Sequence, residues 1–261
     1  MPRLVKRPER EDILAFCAED PIERVFLADV ARRGLGRFVA LRDGDRLTAV
    51  CHLGANLVPS GAGTRAFAEV GARSRPRMLI GEEAAVSELW EAAREALPPV
   101  REDRPGQPVY VLEEPPAAGG SGLRPARLRD LDLLVRSSAA AFLEEVGIDA
   151  YARDPALFEW RTRTQIEEDR SWVWERDGKI FFKAEASAWT ESAVQLQQVW
   201  VEPELRGHGY AKQGLADLCR LLLESTPAVC LFVRPENEPA IRLYESLAMR
   251  RVGSYRSLIF D

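Results

Sequence analysis

The sequence predicts an α/β fold in two domains, and three observations carry that expectation. Helix-like and strand-like segments alternate from the N-terminus to Leu112, prolines and glycines crowd together just beyond, and a hairpin signal, an amphipathic helix and a continuous apolar run then follow in turn. A length of 261 residues also suits two domains of roughly 100 to 200 residues each.

In the first half the pattern reads Glu11 to Ala18 as helix, Arg37 to Leu41 and Leu47 to Leu53 as strands, and Arg65 to Ala72 as helix. A short strand at Met78 to Ile80, a helix at Ala84 to Ala96 and a strand at Val109 to Leu112 complete it. The run Glu113 to Gly122, Glu-Glu-Pro-Pro-Ala-Ala-Gly-Gly-Ser-Gly, offers nothing to bury and reads as a linker. The expected division is therefore 1–113, a linker at 114–122, and 123–261.

Past the linker, Leu131, Leu134, Val135, Phe142 and Val146 recur at helical spacing, with Asp130 placed as N-cap. A second helix runs from Pro155 to about Glu168. Asp177-Gly178 lies between Trp172 to Glu175 and Lys179 to Trp189, and both residue types tolerate positive φ, so a tight hairpin is expected there. A turn at Thr190 to Ser192 returns the chain as strand Val194 to Val201, which makes a three-stranded meander. Gly209 to Glu224 carries Leu215, Leu218, Cys219 and Leu222 on one helical face. Ala228 to Val233 is apolar without alternation, as a strand buried on both faces should be. Strand, helix and strand imply a parallel crossover. A last helix from about Glu238 to Ala248 precedes Arg251-Val252 and a final strand near Arg256 to Phe260.

The halves echo each other. Phe38-Val39-Ala40-Leu41-Arg42-Asp43-Gly44 parallels Trp172-Val173-Trp174-Glu175-Arg176-Asp177-Gly178, and Val58-Pro59 parallels Val201-Glu202-Pro203, a pattern expected of a duplication.

Composition narrows the function. A formal charge of −5 offers nucleic acid no general attraction. No apolar run reaches the length of a membrane span or follows the basic N-terminus as a secretory signal would, so the expected location is cytoplasmic. Cys17, Cys51, Cys219 and Cys230 lack the paired short spacing of a zinc site and read as buried thiols. No metal is expected.

Chemistry concentrates at Val199-Trp200-Val201-Glu202-Pro203-Glu204-Leu205-Arg206-Gly207-His208-Gly209-Tyr210-Ala211, where a strand meets a helix through a loop with two glycines. The first N–H groups of a helix have no intrahelical partner, and glycines let a phosphate come close to them. A second element, Arg234-Pro235-Glu236-Asn237-Glu238-Pro239-Ala240-Ile241-Arg242-Leu243-Tyr244, sets Asn237, Ala240 and Tyr244 near one helical face.

Together these elements resemble the GNAT superfamily of N-acetyltransferases, whose motifs are strand, Arg-Gly-x-Gly-x-Ala, helix, and later Asn-x-x-Ala-x-x-x-Tyr. The resemblance covers about Leu123 to Asp261. It implies that the backbone of Val199, Trp200 and Val201 pairs with pantetheine amides, and that the N–H groups of Arg206, Gly207, His208, Gly209, Tyr210 and Ala211 hold the pyrophosphate of acetyl-CoA. It further implies that Asn237 contacts the pantetheine arm and that Tyr244 protonates the departing thiolate. Glu204 departs from the family pattern and would repel phosphate unless it points away. Ala248-Met249 replaces the frequent Gly-Phe, a change expected to touch packing rather than chemistry.

Acyl transfer to an amine also needs a base. With Trp189 set opposite Ala193, counting along the ladder places Glu185 opposite Gln197. Either the pair holds a water that relays the proton, or Lys183, Glu185 and Gln197 form a ladder facing solvent. His208 is expected to matter through its backbone, His52 as a satisfied core histidine, and Trp160, Trp172, Trp174 and Trp189 as core or helix-packing surface.

The first half resembles a domain of unassigned role that precedes such acetyltransferases in some bacterial proteins. It lacks the tyrosine motif, and Ser60-Gly61-Ala62-Gly63 lacks the arginine, so it reads as a degenerate GNAT-like half. The expected whole is a tandem of GNAT-like α/β domains of the α+β type, each a mixed, mostly antiparallel twisted sheet flanked by helices. Its expected activity is direct transfer of acetyl from acetyl-CoA to a primary amine, in a monomer or homodimer. A non-catalytic acyl-CoA sensor is the alternative, and a phosphate-loop nucleotide binder is disfavoured because no Gly-Lys-Ser/Thr ending is present.

Overall fold

The computed structural model describes residues 2–261. The first half comprises β1 (Arg3–Val5), α1 (Arg10–Ala18), α2 (Val25–Arg32), β2 (Arg37–Asp43), β3 (Arg46–Leu53) and β4 (Asn56–Gly61), followed by a 3-10 turn at Thr64–Phe67, α3 (Ala68–Arg73), β5 (Met78–Glu82), α4 (Glu83–Ala93) and β6 (Val100–Leu112). The second half follows with β7 (Arg124–Pro125), α5 (Leu131–Val146), α6 (Ala150–Arg153), α7 (Pro155–Glu167), β8 (Ser171–Arg176), β9 (Lys179–Trp189) and β10 (Val194–Trp200). It closes with α8 (Tyr210–Leu223), β11 (Val229–Phe232), α9 (Glu238–Ser246) and β12 (Arg250–Phe260).

All the strands join one mixed, mostly antiparallel sheet in the order β1-β2-β3-β4-β5-β12-β6-β11-β10-β9-β8-β7. The order β2-β3-β4-β5 recurs as β8-β9-β10-β11, and among the described residues the pairing is parallel only at β4–β5 and β10–β11. The halves then exchange their last strands. β6 lies beside β11 and gives Tyr110 and Leu112 to the C-terminal core, while β12 lies beside β5 and gives Leu258 and Phe260 to the N-terminal one. This exchange depends on pairing between residues more than a hundred apart, which local periodicity cannot reveal.

Both hairpins of the echo form, one step out of phase. Arg176 pairs with Lys179 across Asp177-Gly178, whereas Asp43 pairs with Arg46 across Gly44-Asp45. Asp177 and Gly178 both take positive φ, 53° and 75°, as the tight turn requires. Trp189 pairs with Val194 rather than Ala193, because Thr190 and Ala193 close a wider turn. A register shift between Gln195 and Leu196 then restores the expected Glu185–Gln197 pair. Asp130 does not cap α5. Its carboxylate accepts from the Arg127 N–H at 2.8 Å and from Arg124 at 2.7 and 2.8 Å, bracing the preceding turn.

The Pro/Gly run between the halves is pinned to α8: Gly119 and Ser121 N–H donate to the Asp217 carboxylate at 2.6 and 2.7 Å. Trp172 is buried, Trp174 and Trp189 half-buried, but Trp160 is 60% exposed on α7. His52 is half satisfied, with Nε2 3.2 Å from Leu35 O and Nδ1 buried without a partner, and burial lowers its pKa. Cys17, Cys51, Cys219 and Cys230 are free, buried thiols. No helix among the described residues is long and apolar enough to cross a membrane.

Ala248, which follows α9, takes φ +60° while the Met249 N–H reaches back to Tyr244 O at 3.1 Å. A left-handed alanine carries roughly 1–2 kcal/mol of strain that glycine escapes, against about 0.5–1 kcal/mol of extra unfolded-state freedom for glycine. Ala248→Gly should therefore raise stability by about 0.5–1 kcal/mol in denaturant titration, and a loss of stability would contradict the strain argument.

Candidate active site

The site begins where two parallel strands part. β10 and β11 pair only at Val194–Val229 and Gln195–Cys230, and beyond Gln195 the β11-facing edge of β10 is unpaired. On its other side β10 continues against β9, but between Gln197 and Trp200 the register slips, with Gln198 in the left-handed region at φ +53°. This bulge turns Val199 and Trp200 into a cavity of about 1100 Å³ between the halves, whose lining also includes Glu185, Asn237 and Tyr244. Trp200 is buried, and its Nε1 has no partner.

From Val201 the chain passes through Glu202 and a 3-10 turn at Pro203–Leu205 into the glycine loop. Gly207 and Gly209 have φ of +82° and +83°, and with no atom within 4 Å of a would-be Cβ on either, the loop face stands open. The first helical bond of α8 runs from Gln213 N–H to Gly209 O at 3.1 Å, so the amides before it point out of the helix start. At Gly214 the helix lies so close to β9 that a Cβ would meet the Phe182 ring at 2.3 Å, which seats the loop firmly on the sheet.

Side chains around this loop are committed elsewhere. Arg206 donates from Nε to Val201 O at 3.1 Å and from Nη2 to the Glu144 carboxylate at 2.7 and 3.0 Å, tying the loop to α5. The Val201 carbonyl is thus partly used within the chain. His208 is exposed and stacks on Tyr210, and its ring Nδ1 lies 3.0 Å from Arg206 O and 3.3 Å from Leu205 O, so the side chain braces the loop's own carbonyls. Tyr210 packs edge-on against Phe181 and Trp174, and Ala211 rests on the core. Glu204 is held by Lys179 at 2.9 Å, so the acid that threatened phosphate is paired with a cation.

Asn237 caps α9 through its Oδ1, which accepts from Ala240 N–H at 3.2 Å. Two turns on, Tyr244 is 6% exposed and lies against Tyr110, ring centroids 5.7 Å apart. Its phenol pKa is raised, first by burial and then by Glu145 and Cys219.

The Lys183, Glu185 and Gln197 ladder does not face solvent as a unit. Lys183 is fully buried and Glu185 is 8% exposed, with only Gln197 at the surface. Glu185 accepts from Ser138 at 3.1 Å, Lys183 at 3.2 Å and Gln197 at 3.4 Å. Sequence reasoning named Lys183 only as a rung of a solvent-facing ladder, because a lysine in a strand reads as exposed, and it missed Ser138, which only the packing of α5 over β9 brings to that lysine.

The first half repeats the parting strands but closes its loop. Gly61 and Gly63, both at φ +87°, lead into the 3-10 turn at Thr64. There Gly63 and Thr64 N–H donate to Glu88 Oε2 at 2.9 and 3.0 Å, and Arg65 Nε donates to Oε1 at 3.0 Å. A carboxylate from α4 thus sits where the equivalent amides of the second half are open.

The acetyltransferase (GNAT) family model matches residues 134–249. The C-terminal half carries a GNAT domain. Residues 36–134 match a domain of unknown function, DUF4081. No curated protein matches the sequence. Among solved structures, a GNAT-family acetyltransferase from Colwellia psychrerythraea aligns over 99% of this chain and 100% of its own, at 11% identity and TM-score 0.59. A GCN5-related N-acetyltransferase from Sphaerobacter thermophilus aligns over 97% and 94% at 18% identity and TM-score 0.58. A tandem GNAT protein from the clavulanic acid biosynthesis pathway aligns over 99% and 98% at 13% identity and TM-score 0.57. At these identities the likeness is one of fold, and it extends across both halves.

Proposed function

We propose that the GNAT domain transfers acetyl from acetyl-CoA to a primary amine within a ternary complex. The observation that carries the reading is the open β10 edge beside an uncommitted glycine loop, with Tyr244 lining the same cavity. Amides from Arg206 to Ala211 would hold the pyrophosphate, and Val199 to Val201 the pantetheine amides. Asn237 Nδ2 remains to meet the pantetheine arm while Oδ1 caps the helix. The amine nitrogen attacks the thioester carbonyl, the C–N bond forms and the C–S bond breaks. Glu185 takes the amine proton through water, and Tyr244 supplies one to the leaving sulfur.

A phenol pushed up by burial remains protonated, which suits a donor. The four buried cysteines are pushed up in the same way, each to about 12, and so remain thiols. Those unpaired thiols also fit a reducing, cytoplasmic location. The first half, 1–113, is read as a degenerate partner joined by the 114–122 strap, its anion site filled by Glu88.

Acetyl-CoA in excess should therefore raise the melting temperature, and calorimetry should find one molecule per chain. Gly209→Asp should abolish both by setting a carboxylate against phosphate. An unmoved melting temperature refutes the reading, and two sites of similar affinity refute the filled first half.

A further inference from the structure

A lysine with no exposed surface is rare, because an ammonium withdrawn from water is strongly destabilised unless every proton finds an acceptor. Lys183 meets that condition with three acceptors from three elements. Its Nζ donates to Ser138 Oγ on α5 at 2.7 Å, to Gln198 Oε1 on β10 at 3.1 Å and to Glu185 Oε1 on β9 at 3.2 Å. Ser138 in turn donates to Glu185 Oε1 at 3.1 Å, which closes a triangle around one carboxylate oxygen. Burial lowers the Lys183 pKa and Glu185 counteracts it.

The Gln198 arm ties this network to the bulge. A left-handed conformation is strained for a non-glycine residue, so a glutamine keeps it only where its surroundings hold it. Here the carboxamide is gripped by Lys183 at the point where β10 leaves its register with β9, immediately before the Val199 to Val201 edge.

We infer that Lys183 is a positioning residue for acyl transfer, an inference that rests on the acyltransferase reading: its ammonium locks Glu185 and the Gln198 bulge into one unit, fixing the carboxylate relative to the Val199 to Val201 edge. A lysine serving only to fill the core would need no link to the bulge.

Lys183→Met keeps the length and fills the space. It should lower kcat about 100-fold, the scale of a small misplacement at a reacting centre, with KM for acetyl-CoA within about threefold. Deuterium uptake should accelerate in 195–201 and stay unchanged in the β2–β3 hairpin. Full activity in this variant, or uptake that rises uniformly through the chain, overturns the inference. Should Lys183→Met not fold, Gln198 carries the test: Gln198→Gly tolerates φ +53° and should lose less than about tenfold, while Gln198→Val, disfavoured there, should lose about 100-fold. Equal, wild-type rates in both variants overturn it as well. Wild-type protein that fails to bind acetyl-CoA refutes the acyltransferase reading itself, whereas an active wild type beside a fully active Lys183→Met refutes the positioning role alone.

Discussion

Replacing Tyr244 by Phe should lower turnover by about 100-fold to 10,000-fold, while acetyl-CoA affinity by calorimetry stays within about a factor of two. The substitution removes one hydroxyl and keeps the ring against Tyr110, so the C-terminal core is preserved. The hydroxyl lies on an otherwise buried ring that lines the cavity beside the open β10 edge. Donation to a sulfur acquiring charge is worth most where water is excluded, since an unsolvated thiolate has no other partner. A thiolate is a fair leaving group, so the loss should fall toward the lower end. A Phe variant at full speed with an accepted amine would return Tyr244 to a core-packing role and favour the acyl-CoA sensor.

What the sequence revealed and what it concealed divide by range. Hairpins, the glycine loop and the Asn237 to Tyr244 helix are set by residues within a few positions of one another, and each forms near its expected bounds. The Glu185–Gln197 pair was expected from a turn one residue too short, and the register shift at Gln195 corrected it. Long-range features were hidden. α2 and β4 were not anticipated, because Val25–Arg32 lacks a cap and Asn56–Gly61 holds a proline that local rules assign to a loop. Lys183 and Glu88 have ordinary surface chemistry in the sequence and acquire meaning only from the helices packed over them. The open loop of the second half and the carboxylate-filled loop of the first differ by one acid, Glu88 on α4, 24 residues beyond Thr64, a difference that motif spacing does not register.

Breaking the seam between the halves should be the costliest single change to stability. Asp29 on α2 is 3% exposed in its side chain, and Arg170, just before β8, is 11% exposed; they form paired hydrogen bonds of 2.8 and 2.9 Å. Such a fork-to-fork pair repays its desolvation only while both partners are present. Arg170→Met therefore leaves a buried carboxylate with Arg33 as its remaining cation, 3.6 Å away and partly exposed. The expected loss is about 3–5 kcal/mol, nearer the lower figure because of Arg33. In a chain of this size that corresponds to a fall in melting temperature of roughly 6 to 20 °C. Removing the charge from both partners, Asp29→Leu with Arg170→Met, should cost less than Arg170→Met alone, since no uncompensated ion remains. α2 also supplies Phe26 and Leu27 to the cavity wall, so a loosened seam should weaken the amine KM as well as the fold. A double variant less stable than Arg170→Met would show that the pair acts through packing rather than charge.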